Sequence, residues 1–248
     1  MDYPGFGTLF TLPQGGDRKR EYEQVREYCR RRQMDLTFYP IPKEELAPLM
    51  DCFPCATVMS DRDTFDYLYH GEDLKYFKGK KLAGQRNHVN RFLAEHPDVR
   101  ILPLTDETLA DARILADRWY QRRSPEEDAG MELVALNRAF AHWQDLGLEG
   151  LVMYVGEQVV AMTMGSRLGE DTVDVHFEKA DLDYPGAYAV INRAFARHIR
   201  EKYPQVKFLN REDDMGIEGL RKAKLSYYPH HMVEKCWAHL MTEEFYDY

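Results

Sequence analysis

Between Leu151 and Lys179 the sequence holds three strand-like runs in immediate succession. Leu151–Val155 and Val159–Leu168 are parted only by the turn Gly156-Glu157-Gln158, and Thr172–Lys179 follows Gly169-Glu170-Asp171. Connections this short permit antiparallel hairpins and leave no room for a crossover. In the third run Val173, Val175 and Phe177 alternate with Asp174, His176 and Glu178, which predicts a half-buried strand with His176 and Glu178 on one face. Such a meander must be covered, and the flanking sequence supplies the cover. Leu109, Ala112, Ala116 and Trp119 mark one helix before it, and Leu133, Leu136, Phe140 and Trp143 mark a second. After it Pro185 suits the first turn of a long helix that buries Tyr188, Ile191, Phe195 and Ile199. Lys207–Asn210 then reads as a strand, Gly216–Leu225 as a short helix and His231–Leu240 as a last strand.

The N-terminal part is choppier. Gly7–Leu12 reads as a strand, Asp17 caps a helix carrying Tyr22, Val25 and Cys29, and Leu36–Tyr39 is a strand ended by Pro40 and Pro42. A short helix at Glu44–Met50, extended pieces at Ala56–Met59 and Thr64–Tyr69, and a helix from Gly79 to His96 complete it. The order from Leu109 onward (two helices, three antiparallel strands, helix, strand, helix, strand) is that of the Gcn5-related acyltransferase (GNAT) fold. The first part matches the back half of the same unit by element order, with no repeat in the sequence itself. The expected fold is therefore α/β (α+β) and GNAT-like. An abbreviated unit with a basic connecting helix spans residues 1–97, and a complete unit spans 98–248.

Charge narrows the function classes. With 33 basic and 42 acidic residues the formal net charge is −9, which argues against a non-specific nucleic-acid binder. Yet Leu74–Ala94 carries Lys75, Lys78, Lys80, Lys81, Arg86 and Arg91 and no acid. Lys80, Lys81 and Arg86, with Asn87 and His88, either hold phosphates or form a solvated helix. No run approaches the ~18–20 apolar residues of a membrane span, and no signal peptide is visible, so a cytoplasmic protein is expected. Cys52-Phe-Pro-Cys55 has the form of a redox or half-zinc pair, but Cys29 and Cys236 give it no matching partner, so reduced thiols and no metal are expected. A Gly-x-Ser-x-Gly elbow, a P-loop and a dinucleotide fingerprint do not occur.

Acid–base candidates gather at the end of the third strand. Glu178 is either a general base assisted by His176, or the partner of Arg211 or Lys179 in an ion pair fixing the sheet end. Asn210-Arg211-Glu212-Asp213-Asp214 follows the next strand and so faces the same crevice. Arg211 suits a carboxylate or phosphate, while Glu212, Asp213 and Asp214 either take an ammonium or form a helix-capping, solvated loop. Arg221, Lys222 and Lys224 lie on the following helix and are expected substrate or phosphate contacts. Tyr227 is either a proton donor to a leaving group or a core aromatic.

Three stretches carry a family resemblance: Gly79–Phe92, Phe177-Glu-Lys-Ala-Asp181 with Tyr184-Pro-Gly-Ala-Tyr188, and Asn210–Tyr227. They resemble the soluble proteins related to the C-terminal domain of phosphatidylglycerol lysyltransferase, built from two GNAT-like units and akin to the Fem aminoacyl transferases. The resemblance covers nearly the whole chain. It implies aminoacyl transfer from a charged tRNA to an amine or hydroxyl acceptor, a small molecule or a lipid, with no tightly bound cofactor. It adds Lys179, Asp181 and Tyr184 to the expected substrate contacts. The first unit lacks the opening helices and hairpin of its relatives, and the membrane-spanning half of the lipid enzymes is absent.

Two other readings stay open, an acetyl-CoA-dependent N-acetyltransferase and a non-catalytic ligand-binding module. An acetyl-CoA enzyme of this fold carries Gln or Arg, two residues, Gly, one residue, then Gly or Ala before the helix. Here the stretch is Asp183-Tyr-Pro-Gly186-Ala-Tyr188. Pro185 removes one N–H, and Glu178 and Asp181 are expected to repel a pyrophosphate.

Overall fold

In the computed structural model, which describes residues 2–3, 7–13, 15–122 and 129–241, the chain begins with β1 (Asp2–Tyr3), β2 (Gly7–Phe10), α1 (Arg18–Arg32), β3 (Leu36–Pro42), α2 (Leu46–Cys52) and β4 (Thr57–Ser60). It continues through β5 (Asp66–His70), α3 (Gly71–Tyr76), α4 (Ala83–Glu95), β6 (Arg100–Pro103), α5 (Asp106–Gln121), α6 (Ala129–Ala141) and β7 (Glu149–Val155). Then come β8 (Gln158–Arg167), β9 (Thr172–Ala180), α7 (Ala187–Lys202), β10 (Phe208–Asn210), α8 (Glu218–Leu225), β11 (His231–Val233) and β12 (Lys235–Leu240).

The strands form two sheets, and the chain divides into two compact units. Met1–Asp66, Asp213–Ile217 and Met232–Tyr248 make the first, and Tyr67–Glu212 with Glu218–His231 the second. This division does not fall at residue 97. The single last strand expected over His231–Leu240 is two strands in different sheets, separated at Glu234.

The first unit holds a five-stranded sheet of order β1-β2-β3-β12-β4. As expected, Asp17 caps α1, its side chain accepting from Arg20 N, and Tyr22 and Cys29 enter a core with Leu36, Phe38, Ile41, Leu49 and Phe53. Burial pushes the Cys29 thiol up to about 11. Pro40 does not end β3. The strand runs on to Pro42, and a register shift opposite Cys236 and Ala238 absorbs the missing N–H.

The seven-stranded sheet has the order β11-β5-β10-β9-β8-β7-β6. The meander β7-β8-β9 is antiparallel, as the turn lengths require. β9 and β10 are parallel, and α7 supplies the crossover that a parallel pair needs. α5 and α6 pack on one face through Leu115, Leu136, Phe140, Met162 and Met164. α7 begins at Ala187 behind Gly186, so Pro185 precedes the helix cap and lies outside the first turn.

Two features of β9 position the site. It pairs with β10 only from Thr172↔Phe208 to Asp174↔Asn210, then continues to Ala180. The chain after β10 stays with β5, Arg211 N donating to Tyr67 O, so the 175–180 edge of β9 borders an opening. The second feature is a bulge. Gly165 faces Val175 and Met164 faces Phe177, which leaves His176 as an extra residue. Gly165 permits it: a Cβ there would lie 2.2 Å from the Asp174 carbonyl oxygen.

Candidate active site

The bulge overturns the expectation that His176 and Glu178 share a face. One extra residue reverses the alternation, so Glu178 pairs across the sheet with Thr163 and reaches Asn192 of α7. Lys179 turns to the α5–α6 face, its ammonium 4.0 Å from the Trp119 ring centre and 2.6 Å from Glu132. His176 takes partners of its own, Ser166 Oγ at 2.8 Å and Glu212 Oε1 at 3.0 Å.

At the opening between β9 and β10 a buried polar cluster has formed. Arg211 Nη2 donates to Glu178 Oε1 at 2.7 Å, and Asn192 Nδ2 donates to Glu178 Oε2 at 3.2 Å. The Glu178 and Arg211 side chains are only 9% and 12% exposed. The guanidinium lies over Tyr227 at 4.7 Å and near Tyr69 at 5.7 Å. Burial opposes the Arg211 charge, but the Glu178 carboxylate and the two phenols hold its pKa above the ordinary value. Burial pushes the Tyr227 phenol up to about 12, with Arg211 pulling the other way and Glu178 adding to the rise. Around Glu178 the buried atoms Arg211 Nη1, Asn192 Oδ1 and Thr163 Oγ1 have no hydrogen-bond partner. Buried polar groups are nearly always paired, so these three orphans single out the cluster as a candidate ligand site.

Of the expected site residues, Glu178, Arg211 and Tyr227 come together here. The Asn210–Asp214 run does not face one crevice. Asn210 Oδ1 accepts from Glu212 N, while Asp213 and Asp214 fall in the first unit and pair with Lys235 and Arg62. Lys224 is buried and donates to Arg211 O and Glu212 O, so it anchors the turn that carries Arg211. Arg221 and Lys222 lie on α8.

Asp181 is held by Arg122 at 2.8 Å and Arg118 at 3.9 Å, and Arg122 also binds Asp183. With Glu178 likewise paired, the negative charge expected to repel a pyrophosphate is neutralised within the protein. Tyr184 donates to Gln158 Oε1, and its ring lies tilted against that of His96, with centres 5.3 Å apart. In the basic segment, Lys80 and Lys81 are exposed ahead of α4, and Asn87 and His88 are exposed on it. Arg86 is committed to the carbonyls of Phe77 and Gly79. A Cβ on Gly186, whose φ is +96°, would lie 2.9 Å from His88 O, so the α4 backbone covers the N-terminus of α7.

Sequence reasoning missed Asn192, Thr163 and Tyr69. Asn192 left a signal, a lone amide four residues after Tyr188 in the apolar stripe of α7. Thr163 and Tyr69 left none, because both read as ordinary strand residues.

Residues 5–239 match the family described as phosphatidylglycerol lysyltransferase, C-terminal. A conserved protein of unknown function from Bacteroides thetaiotaomicron is 36% identical, with TM-score 0.88 over 94% of this chain and 79% of that one. The C-terminal domain of a putative lysylphosphatidylglycerol synthetase from Agrobacterium fabrum shares the fold at 15% identity, TM-score 0.70, over 93% and 76%. FemX shares it at 8% identity, TM-score 0.65, over 96% and 81%. An uncharacterised protein of Mycoplasmoides gallisepticum is 22% identical over 68% of this chain, which spans about half (54%) of that relative's length.

Proposed function

The chain belongs to the phosphatidylglycerol lysyltransferase C-terminal family, and on that premise we propose that it is a GNAT-like aminoacyltransferase that moves an aminoacyl group from charged tRNA to an amine or hydroxyl acceptor. The observation that carries this reading is the set of orphaned polar atoms beside Glu178. An aminoacyl ester brings an ammonium that donates and a carbonyl that accepts. Asn192 Oδ1 and Thr163 Oγ1 accept, and Arg211 Nη1 donates. Each buried group left unpaired costs ~1–3 kcal/mol, so a guest that satisfies all three is favoured over an acetyl group, which has no ammonium.

In this mechanism the acceptor nitrogen or oxygen attacks the ester carbonyl carbon, and the charge developing on the carbonyl oxygen meets Arg211. The acceptor's proton passes to Glu178, whose carboxylate Arg211 and Asn192 orient. The ester C–O bond breaks, and the leaving ribose oxygen takes the proton of Tyr227, which a phenol pushed up to about 12 retains at neutral pH. Exposed Lys80 and Lys81 are the residues proposed to meet tRNA phosphates.

The test is a two-donor assay on the purified full chain. Lysyl-, alanyl- and other aminoacyl-tRNAs labelled in the amino acid are offered with amine, hydroxyl and phospholipid acceptors, and acetyl-CoA is offered in parallel with thiol release as readout. Transfer of the labelled amino acid, lost in Glu178→Gln by roughly 10²–10⁴-fold, supports the reading. Turnover of acetyl-CoA, bound in calorimetry more tightly than ~100 μM (about 5.5 kcal/mol), overturns it.

A further inference from the structure

β9 and β10 run parallel and are last paired at Asp174↔Asn210. Just beyond that pair the bulged His176 reaches the side chain of Glu212. Asp174, His176 and Glu212 thereby present an imidazole nitrogen and two carboxylate oxygens within 4.8 Å of one another. His176 Nδ1 is 3.0 Å from Glu212 Oε1 and 3.9 Å from Asp174 Oδ2. From these three residues we propose a binding site for one divalent transition-metal ion, Zn²⁺ or Mn²⁺, on the face of β9 turned away from Asn192.

The geometry suits this occupant. Bonds of ~2.0–2.1 Å in tetrahedral array set ligand atoms about 3.3 Å apart, a spacing the three atoms already bracket. Ser166 Oγ, 2.8 Å from Nε2, holds the imidazole by its other nitrogen, the outer partner that a metal-binding histidine uses to fix its ring. Glu212 is held in the left-handed region, φ 55°, with its N–H on Asn210 Oδ1 and its carbonyl taken by Tyr67 N and Lys224 Nζ, so its position is imposed from both sides. The bulge at His176 brings the imidazole beside Asp174.

Charge points the same way. Two carboxylates facing one imidazole make an acidic ligand set that a dication complements. Side-chain exposures of 16%, 30% and 44% for Asp174, His176 and Glu212 give solvent an entry and leave room for water on the ion. One nitrogen and two oxygens favour Zn²⁺ or Mn²⁺ over Mg²⁺, which selects all-oxygen shells.

Metal binding can be read without any activity. The full chain carrying Cys52→Ser and Cys55→Ser, which removes the rival thiol pair, is stripped with chelator and then titrated. Zn²⁺ is followed by competition with a fluorescent indicator and Mn²⁺ by its free-ion paramagnetic resonance signal. One equivalent is expected to bind, with affinity reduced at least tenfold in Glu212→Gln and in His176→Ala and ~10–100-fold in Ser166→Ala. If His176→Ala does not fold by circular dichroism, the half-exposed Glu212→Gln decides. The proposal is overturned by the absence of any site tighter than ~1 mM, or by a site that Glu212→Gln leaves unchanged.

Discussion

A guanidinium buried against Glu178 governs what that carboxylate can do. Removing one partner of a buried pair strands the other charge, so Glu178→Ala is expected to cost ~3–5 kcal/mol in urea denaturation. Glu178→Gln keeps an acceptor for Arg211 and is expected to cost about 1–3 kcal/mol. The double variant Glu178→Ala/Arg211→Met is expected to recover part of the stability and none of the transfer activity. A full loss that simply adds the two single changes refutes the coupling. The sequence offered Arg211 and Lys179 as equal partners for Glu178. It did not decide between them because Arg211 is 33 residues away and comes within 2.7 Å only when β10 docks beside β9.

At the scale of the element, the bulge in β9 separates two side-chain clusters that simple alternation merges. Without it His176 and Glu178 face one way, whereas with it Glu178 turns to Arg211 and Asn192 and His176 to Asp174 and Glu212. Gly165→Ala sets a methyl 2.2 Å from a backbone oxygen that cannot yield as a flexible side chain would. It is expected to cost at least ~1–3 kcal/mol by chemical denaturation, and a neutral change shows that the strand re-registers without the bulge. Strand existence and turn positions were legible, since Gly156 and Gly169 punctuate the meander within a residue or two of the observed ends. The bulge was not, because one extra residue in a strand leaves the local pattern almost unchanged. α7 was legible on its apolar face, and Asn192 was the one polar break in it.

At the scale of the whole molecule, a chain of net charge −9 must reach any polyanion through local basic residues. Lys80 and Lys81 are exposed, whereas Arg86 spends its guanidinium on the Phe77 and Gly79 carbonyls. Lys80→Ala/Lys81→Ala is expected to lower the salt dependence of tRNA binding by about one unit of slope per lost phosphate contact, with the melting temperature unchanged. Arg86→Ala is expected to lower the melting temperature instead. An unaltered slope in the double-lysine variant removes these residues from the tRNA contact. No helix among the described residues is long and apolar enough to cross a membrane.

The sequence by itself determined the β7–β9 meander, the helices that cover it and their order, and hence the GNAT-like fold, because strand periodicity, caps and short turns are set by neighbouring residues. It gave no sign of α3, β6 or the break between β11 and β12. Only tertiary structure decided which charged groups meet. It sent Asp213 to Lys235 and Asp214 to Arg62, Asp181 to Arg118 and Arg122, and Lys179 to Trp119 and Glu132. The physical reason is that a charge carries no periodicity. Its partner is chosen by strand register and docking across tens of residues, and the energy of burying it is fixed only when the surrounding core closes.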